Sequence, residues 1–392
     1  MTKPLRLVIV TRRFWPLVGA PEKALARLAG GLASCGCSVT IVTFRWEPHW
    51  PAEIRFHEVP VVRISPCPGG GWKTWRATRA LKRWLRARQH DFDVAYVSML
   101  QYEAEATIKA VGARVPVVLR AERGGRWGDC LWQIDARGGR RIKHACTAAA
   151  SFVAPTPPVT RELEAAGYAR PRIRQVLNGM VPSPPRTAES RNAARAALAD
   201  AHAMLKLSEW ATLALSTGRI ERARGIEHLV AAWPAIARQW AGARLWLAGE
   251  APERAALVRQ TDSLGLSSRI VPVGVFDDVD ALMAAADLFI SPAPEGSPNG
   301  ILEAMAAALP VVALDVPNNR WLVEDGRSGL LVPPGDVPGL AAAIARLAGD
   351  ARLRSQFGAA GRERVAREFA LERMVQEHLA LFCDVRDSVS KK

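Results

Sequence analysis

Short apolar runs alternate with helical segments along most of this chain, and that alternation limits its fold more than any other feature. Leu5–Val10 is an apolar run typical of a buried strand, and Val39–Phe44 is a second one. Between them, Glu22–Ser34 carries apolar residues at helical spacing. A strand, a helix and a second strand in this order predict a parallel sheet covered by helices.

The alternation continues on both sides of Val181–Ser190, a segment rich in proline and serine that is typical of a linker. We therefore predict an N-terminal domain over 1–182, a C-terminal domain over 190–370, and a helix at 371–392 that packs back toward the first domain. The fold class is α/β, with two Rossmann-like doubly wound parallel-sheet domains facing each other across a cleft. Further strands predicted in the first domain are Val94–Val97, Val115–Leu119, Ser151–Ala154 and Arg174–Leu177.

Composition and charge limit the classes of binding partner that this protein can be expected to have. The 392 residues are 49% hydrophobic and carry a formal net charge of +15, so the chain is globular and suited to an acidic partner. No helix-turn-helix, zinc-finger or RNP-like signature indicates nucleic acid, and none is predicted as a partner. The six cysteines lack metal-site spacing, and neither a signal peptide nor a long apolar span is evident. A cytoplasmic protein with free thiols is the expectation.

Two glutamates flank the start of a predicted helix in EGSPNGILEAM. Glu295 follows the apolar run LFISP, and Glu303 lies in what we predict to be the first turn of a helix beginning at Ile301. Backbone N–H groups there suit a phosphate, and carboxylates suit the hydroxyls of a sugar. The alternative is that Glu303 only complements the helix dipole and that Glu295 is solvated.

A second constellation is GRIERARG, which follows the first strand of the second domain. Gly218 permits a tight turn, and Arg219 and Arg224 lie in a loop at the same predicted sheet edge as Glu295. Two cations there suit a diphosphate leaving group. A solvated arginine pair is the alternative interpretation.

These segments resemble the retaining glycosyltransferases of family four, which have the GT-B fold. Glu295 and Glu303 match the E-x7-E motif, and GRIERARG matches G-R-x4-K-G with Arg224 in place of lysine. Asn178 with Gly179 resembles the NG motif of the family, and Glu324–Asp336 resembles its late loop.

The resemblance implies a role for each matching residue. Glu303 would hold the ribose hydroxyls of a nucleotide-diphosphate sugar, and Glu295 its sugar. Arg219 and Arg224 would hold the diphosphate. Other donor-binding residues that we predict, partly from the resemblance, are Gly19, Gly218, Asn299, Gly300 and Ile301.

The resemblance also implies hexosyl transfer with retention of configuration, in which the leaving diphosphate takes the acceptor proton. No metal and no cofactor are expected. One departure concerns a histidine that many relatives carry after the strand resembling Asp93–Val97, because Tyr96 and Ser98 stand in that region here. His144 is a candidate replacement, although a lone histidine is commonly structural or solvated.

The acceptor side is marked by two segments of the first domain. Trp72–Arg88 has seven lysines and arginines and no acid, which suits an anionic membrane face and a glycan or lipid-linked acceptor; an ordinary amphipathic helix is the alternative. Glu122 and Asp129, in ERGGRWGD, are predicted to orient an acceptor hydroxyl. The localisation expected is cytoplasmic, at the inner membrane face.

Two other functions fit the same sequence. One is a non-catalytic nucleotide-sugar-binding protein, which the replaced histidine favours. The other is a sugar-nucleotide epimerase or a phosphorylase on the same two-domain plan, although the second domain is nearly free of the lysine that a phosphorylase uses for pyridoxal phosphate.

Overall fold

A computed structural model describes residues 4–17, 19–276, 279–295 and 298–390. The chain forms two compact units. Unit 1 holds the chain through Gly179 and again from Leu371, and unit 2 holds Met180–Ala370. The chain thus leaves unit 1 once and returns to it through its last helix.

Unit 1 is built on an eight-stranded sheet in the order β3-β4-β2-β1-β5-β6-β7-β8, parallel except where β3 pairs with β4. Helices cover both faces of the sheet, and its central strands are buried and apolar on both sides. Its elements up to the linker are β1 Arg6–Val10, α1 Ala20–Ser34, β2 Ser38–Phe44, β3 Glu53–Phe56, β4 Val59–Ile64, α2 Trp72–Ala87, β5 Val94–Ser98, α3 Tyr102–Val111, β6 Val117–Arg120, α4 Asp129–Asp135, α5 Gly139–Cys146, β7 Ser151–Ala154, α6 Pro157–Ala165 and β8 Ile173–Gln175.

Unit 2 has a six-stranded parallel sheet in the order β11-β10-β9-β12-β13-β14. Its elements are α7 Ala188–Ala201, β9 Thr212–Thr217, α8 Ile226–Gln239, β10 Ala243–Ala248, α9 Arg254–Ser263, β11 Ile270–Gly274, α10 Val279–Ala285, β12 Leu288–Ser291, α11 Pro298–Ala306, β13 Val311–Leu314, α12 Pro317–Leu322, β14 Gly329–Val332, α13 Val337–Gly349 and α14 Ala351–Glu368. The last helix, α15 Leu371–Ser390, belongs to unit 1.

The predicted α/β class with two parallel-sheet domains is confirmed. The largest differences at the predicted strand boundaries are two residues: β6 begins two residues later than Val115, and β8 ends at Gln175 instead of Leu177. The short strands β3 and β4 were not predicted. Residues of β3 alternate between exposed and half-buried positions, so this strand lacks the apolar run that marks the others.

Candidate functional site

Strands β9 and β12 are direct neighbours in the unit 2 sheet, and their parallel register pairs Leu288 with Ala214. From β9 the chain continues to β10 on one side, whereas β12 and β13 extend the sheet on the other side. In an open α/β sheet, this change of direction leaves a crevice outside the carboxyl ends of the strands, where ligands bind. The loops that follow β9 and β12 carry the two predicted motifs.

Glycines hold these loops close together. Gly225 has a φ of +76°, and a Cβ atom there would lie 2.1 Å from the carbonyl oxygen of Pro292, in the loop after β12. Gly218 has a φ of +124°, and its carbonyl oxygen would lie 1.9 Å from a Cβ on Gly249. Only glycine fits either approach without displacing the backbone. At Gly218, where the sequence predicts a tight turn, the backbone bends.

Arg219 and Arg224 both face Glu221. The Nε of Arg219 donates to Oε2 of Glu221 over 2.8 Å, and its Nη1 donates to Oε2 of Glu250 over 3.0 Å. The Nε of Arg224 lies 3.9 Å from Oε1 of Glu221. One carboxylate thus lies between the two guanidinium groups at this sheet edge. Because about half of the Arg219 side chain remains exposed, solvent and ligands can reach it.

Helix α11 begins at Pro298, three residues earlier than predicted. Proline is favoured at the first position of a helix because its missing N–H is not needed there and its φ is already helical. Asn299, Gly300 and Ile301 therefore lie in the first turn. The N–H groups that lack an intrahelical acceptor precede the fourth position of a helix, so the N–H of Ile301 already belongs to the helical ladder. The predicted position of Glu303 in the first turn is wrong: it lies in the second turn and is half-buried.

Glu295 is half-buried in the loop before α11. The Nδ2 of Asn318 in α12 donates to its backbone carbonyl over 2.9 Å, which fixes the loop from the neighbouring helix. Gly296 and Ser297, the loop residues between Glu295 and α11, lie outside the described residues.

In unit 1, Gly19 precedes α1 with an extended backbone. A Cβ atom there would lie 2.6 Å from Oε2 of Glu22, so the Glu22 carboxylate packs against this glycine. Burial raises the pKa of Glu22 above its usual range. Gly19 thus permits close approach of a side chain in its own unit.

Glu122 belongs to a buried polar network at the carboxyl edge of the unit 1 sheet. Its Oε1 accepts a hydrogen bond from the hydroxyl of Ser98 over 2.8 Å and lies 2.9 Å from Nε of Arg120. The Nη2 of Arg120 donates to Oδ1 of Asn178 over 2.5 Å, which joins the predicted NG segment to the network. Ser98 thus contacts Glu122 in the region where the family resemblance implies a histidine.

Asp129 is buried, and both of its oxygens accept backbone hydrogen bonds. Oδ1 accepts from the N–H of Leu100 over 3.0 Å, and Oδ2 accepts from the N–H of Glu122 over 2.9 Å. Burial raises the pKa of Asp129 to about 6. The carboxylate therefore ties the loop after β5 to the loop after β6, an arrangement that favours a positioning role over direct contact with an acceptor.

The histidines differ sharply in environment. His144, the predicted replacement for the histidine of the family, is exposed in the last turn of α5. His378 in α15 is fully buried: Tyr96 Oη and His378 Nε2 are 3.0 Å apart, and Nδ1 lies 2.8 Å from the Met374 carbonyl oxygen. Sequence reasoning missed His378, because a histidine within an amphipathic helix carries no signal of its distant partner.

Across the described ranges, no group of three or more histidine, cysteine or acidic side chains has the geometry to hold a metal ion. Among the described helices, none combines the length and apolar character needed to cross a membrane.

Two sequence families match this chain. The model for "Glycosyltransferase Family 4" matches residues 21–183, and the model for "Glycosyl transferases group 1" matches residues 211–350. With two doubly wound parallel-sheet units, the chain falls in the class of GT-B glycosyltransferase folds. It belongs to glycosyltransferase family four, as its motifs predicted.

Individual relatives agree with this assignment. The lipopolysaccharide core biosynthesis glycosyltransferase LpsE of Rhizobium meliloti is 34% identical over 172 residues, which is 44% of this chain and 49% of LpsE. The chain spans about half the length of the curated relatives it matches. Sucrose-phosphate synthase from Thermosynechococcus elongatus has a TM-score of 0.80 at 20% identity over 98% of this chain and 100% of that one. HepE of Anabaena, in complex with UDP-glucose, has a TM-score of 0.75 at 21% identity over 99% and 100% of the respective chains.

Proposed function

We propose that this protein transfers a hexosyl group from a nucleotide-diphosphate donor to a glycan or lipid-linked acceptor, with retention of anomeric configuration. The observation that carries the proposal is the position of Arg219 and Arg224 at the switch point of the unit 2 sheet, next to the loop leading into α11. Two cations and a helix N-terminus at one sheet edge form a site for a diphosphate. The similarity to LpsE supports an acceptor of the lipopolysaccharide or polysaccharide type.

The donor fits this edge through three kinds of contact. The diphosphate receives hydrogen bonds from Arg219, Arg224 and the N–H groups of the first turn of α11 around Gly300. Glu303 accepts from the ribose hydroxyls and Glu295 accepts from hydroxyls of the sugar, as carboxylates do in other nucleotide sites. Because HepE is described in complex with UDP-glucose, UDP-sugars are the first donors to test.

The chemistry needs little from the protein beyond charge stabilisation. As the bond from the anomeric carbon to the diphosphate oxygen breaks, negative charge grows on the leaving diphosphate, and the two arginines stabilise it. The acceptor oxygen attacks from the same face, and its proton passes to the leaving phosphate oxygen. No protein base is required, and neither a metal nor a cofactor enters the scheme.

Calorimetry with a panel of UDP-, GDP- and ADP-sugars tests the donor site. We expect one donor to bind the wild type, and Arg219→Gln and Glu303→Gln each to weaken that binding at least tenfold. Arg259→Gln, at an exposed position on α9, is the matched charge control and should bind normally. The proposal fails if no nucleotide sugar binds, or if the first two variants bind as tightly as the wild type.

A second candidate is a nucleotide-sugar sensor without catalysis. It is favoured by Ser98, whose hydroxyl is committed to Glu122 in the region where relatives carry a histidine. Slow hydrolysis of the bound donor separates the two functions. Release of nucleoside diphosphate above the uncatalysed rate supports transfer, whereas tight binding without turnover supports the sensor.

Helix α2 supports a membrane surface as a further partner. Trp72 and Trp75 are 67% and 47% exposed, and their rings stack with centroids 4.4 Å apart. The guanidinium of Arg79 lies over the Trp75 ring at 5.3 Å. Thr74 and other small or apolar residues of α2 face the core, so the tryptophans and the basic residues remain outside. Exposed tryptophans beside lysines and arginines suit the headgroup region of an anionic bilayer.

Vesicle co-sedimentation tests this surface. We expect the protein to bind vesicles containing phosphatidylglycerol and not neutral phosphatidylcholine vesicles, and Trp72→Ala with Trp75→Ala to reduce binding severalfold. Trp210→Ala, which removes a tryptophan in unit 2 that is 62% exposed, is the matched control. Equal binding to neutral and anionic vesicles would contradict a charged interface.

A further inference from the structure

Three arginines surround one carboxylate at the amino edge of the unit 2 sheet. Asp287, immediately before β12, is buried, and its Oδ2 accepts from the N–H of Leu213 over 2.8 Å. Its two oxygens lie 2.9 Å from Nη1 of Arg191, 2.5 Å from Nη2 of Arg195 and 3.8 Å from Nη2 of Arg186. The single negative charge of Asp287 therefore neutralises only one of the three positive charges around it.

A fourth arginine adds to the excess. Arg354 in α14 interacts electrostatically with Asp287, Arg191 and Arg195, and its Nη1 donates to carbonyls at the end of α13. Asp350 is the other carboxylate that acts on Arg354. With four guanidinium groups and these two carboxylates, the cluster keeps an excess of two positive charges.

The donors of these arginines are unequally used. Every nitrogen of the Arg195 guanidinium makes a hydrogen bond: Nε donates to the Ala285 carbonyl, Nη1 to the Ala211 carbonyl and Nη2 to Asp287. Within the described part of the chain, the buried Nε of Arg191 has no hydrogen-bond partner. Arg186 donates to the Ala286 carbonyl and makes the longest of the contacts to Asp287. Unused donor capacity is thus present on Arg191, which remains partly accessible to solvent.

Burial and repulsion act on the same groups. Burial, together with the neighbouring Arg191, Arg195 and Arg354, lowers the pKa of Arg186 to about 10 although Asp287 opposes the shift. The carbonyls at the ends of α10 and α13 offset part of this repulsion, but they carry only partial charges. An anion bound here would remove a repulsion that the ligand-free cluster retains.

We propose that Arg186, Arg191 and Arg354 form a binding site for a phosphate group, separate from the donor site. Planar guanidinium groups match the oxygens of a phosphate, and a dianion balances an excess of two positive charges. The cluster lies before β9 and β12, whereas the proposed donor site lies after the same two strands, at the opposite edge of the sheet. The phosphate would also fasten the linker residue Arg186 to α7 and α14.

Titration calorimetry with inorganic phosphate at constant ionic strength tests the site. We expect the wild type to bind phosphate, and Arg186→Gln to weaken that binding at least tenfold. Arg186 is the best position to change, because Asp287 keeps its closer contacts with Arg191, Arg195 and Leu213. Arg259→Gln controls for lost charge, and Arg219→Gln controls for phosphate that binds at the donor edge. Both control variants should bind phosphate as tightly as the wild type does.

A second variant protects the test against misfolding. Arg186→Lys keeps the positive charge but loses the planar guanidinium group with its paired N–H donors, so it should bind phosphate with an intermediate affinity. Repeating the titration with a sugar monophosphate distinguishes a metabolite site from one that accepts only free phosphate; binding of either that depends on Arg186 supports the proposal. The proposal is overturned if neither ligand binds the wild type, if binding is unchanged in Arg186→Gln, or if Arg219→Gln abolishes it. None of these readouts requires glycosyl transfer.

Discussion

At the carboxyl edge of the unit 1 sheet, Arg120 and Glu122 are shielded from solvent, whereas at the carboxyl edge of the unit 2 sheet Arg219 keeps 48% of its side chain exposed. Both edges use an arginine–glutamate pair with a contact of 2.8 to 2.9 Å. In unit 1 a serine and an asparagine complete the pair and bury it. The comparison indicates that the charges of unit 1 stabilise the fold, while those of unit 2 remain available to a ligand.

The largest effect expected is on the stability of unit 1 when Arg120 is replaced. Arg120→Met leaves Glu122 buried without its cation, which should lower the free energy of unfolding by about 3–5 kcal/mol. Arg219→Met in unit 2 should cost less than about 1 kcal/mol, because its ion pairs are solvated. Hydrogen exchange of the β5 and β9 amides measures the two units separately. Equal losses would show that the two edges do not differ as described.

The next largest effect expected is a dependence of the stability of unit 1 on pH, which comes from the buried His378. Burial lowers the pKa of His378 from 6.5 to about 3, so the folded state keeps this ring neutral where the unfolded state takes up a proton. The contribution of the neutral His378 ring to the free energy of unfolding is fully present above pH 6.5 and is lost as the pH falls toward 3. At about 1.4 kcal/mol per pKa unit, the loss is about 3.5 kcal/mol by pH 4 and approaches about 5 kcal/mol near pH 3.

The measurement is the slope of unit 1 stability between pH 7 and pH 4, from exchange of the β5 amides. His378→Gln cannot titrate and should flatten this slope, although it also lowers stability at neutral pH. His144→Gln, which changes an exposed histidine, should leave the slope unchanged. An identical slope in wild type and His378→Gln would contradict the assignment.

A smaller effect is expected at Asp129. Asp129→Asn replaces one acceptor oxygen with an NH2 group that must face the N–H of Leu100 or Glu122, at a cost of about 1–3 kcal/mol. Asp135→Asn, at an exposed position at the end of α4, should cost almost nothing. Urea unfolding followed by hydrogen exchange compares the two variants. Lost transfer activity with unchanged stability would instead indicate direct contact with an acceptor.

The smallest effect is expected at Glu221. Its carboxylate competes with a diphosphate for Arg219 and Arg224, so Glu221→Gln should raise the affinity for UDP by about 3- to 5-fold, in line with the strength of exposed ion pairs. Glu209→Gln, at an exposed position before β9, is the control in the same calorimetric titration. A fall in affinity would mean that Glu221 positions the arginines, which would make the two edges more alike.

Most strands of the fold could be predicted from local sequence patterns, because strands buried in a parallel sheet consist of short apolar runs. The motifs around Gly218 and Glu295 could be brought to one sheet edge for a related reason: both follow strands of a parallel sheet. The start of α11 was misjudged because Pro298 fits a turn and a first helical position equally well.

The side-chain networks could not be predicted from the sequence because their members are far apart along the chain. Tyr96 and His378 are separated by 282 positions, and Arg195 and Asp287 by 92. No local periodicity links such residues, and the role of Ser98 depends on Glu122, which lies on a loop after another strand.

The return of α15 to unit 1 has a consequence for biosynthesis. Its His378 contacts Tyr96 of β5, and its Met374 and Phe382 are buried in the core that α1 covers. A ribosome therefore synthesises every residue of unit 2 before it reaches the residues that complete unit 1. Unit 1 cannot complete its core, and part of its apolar surface stays uncovered, until residues 371–390 have emerged from the exit tunnel behind the whole of unit 2.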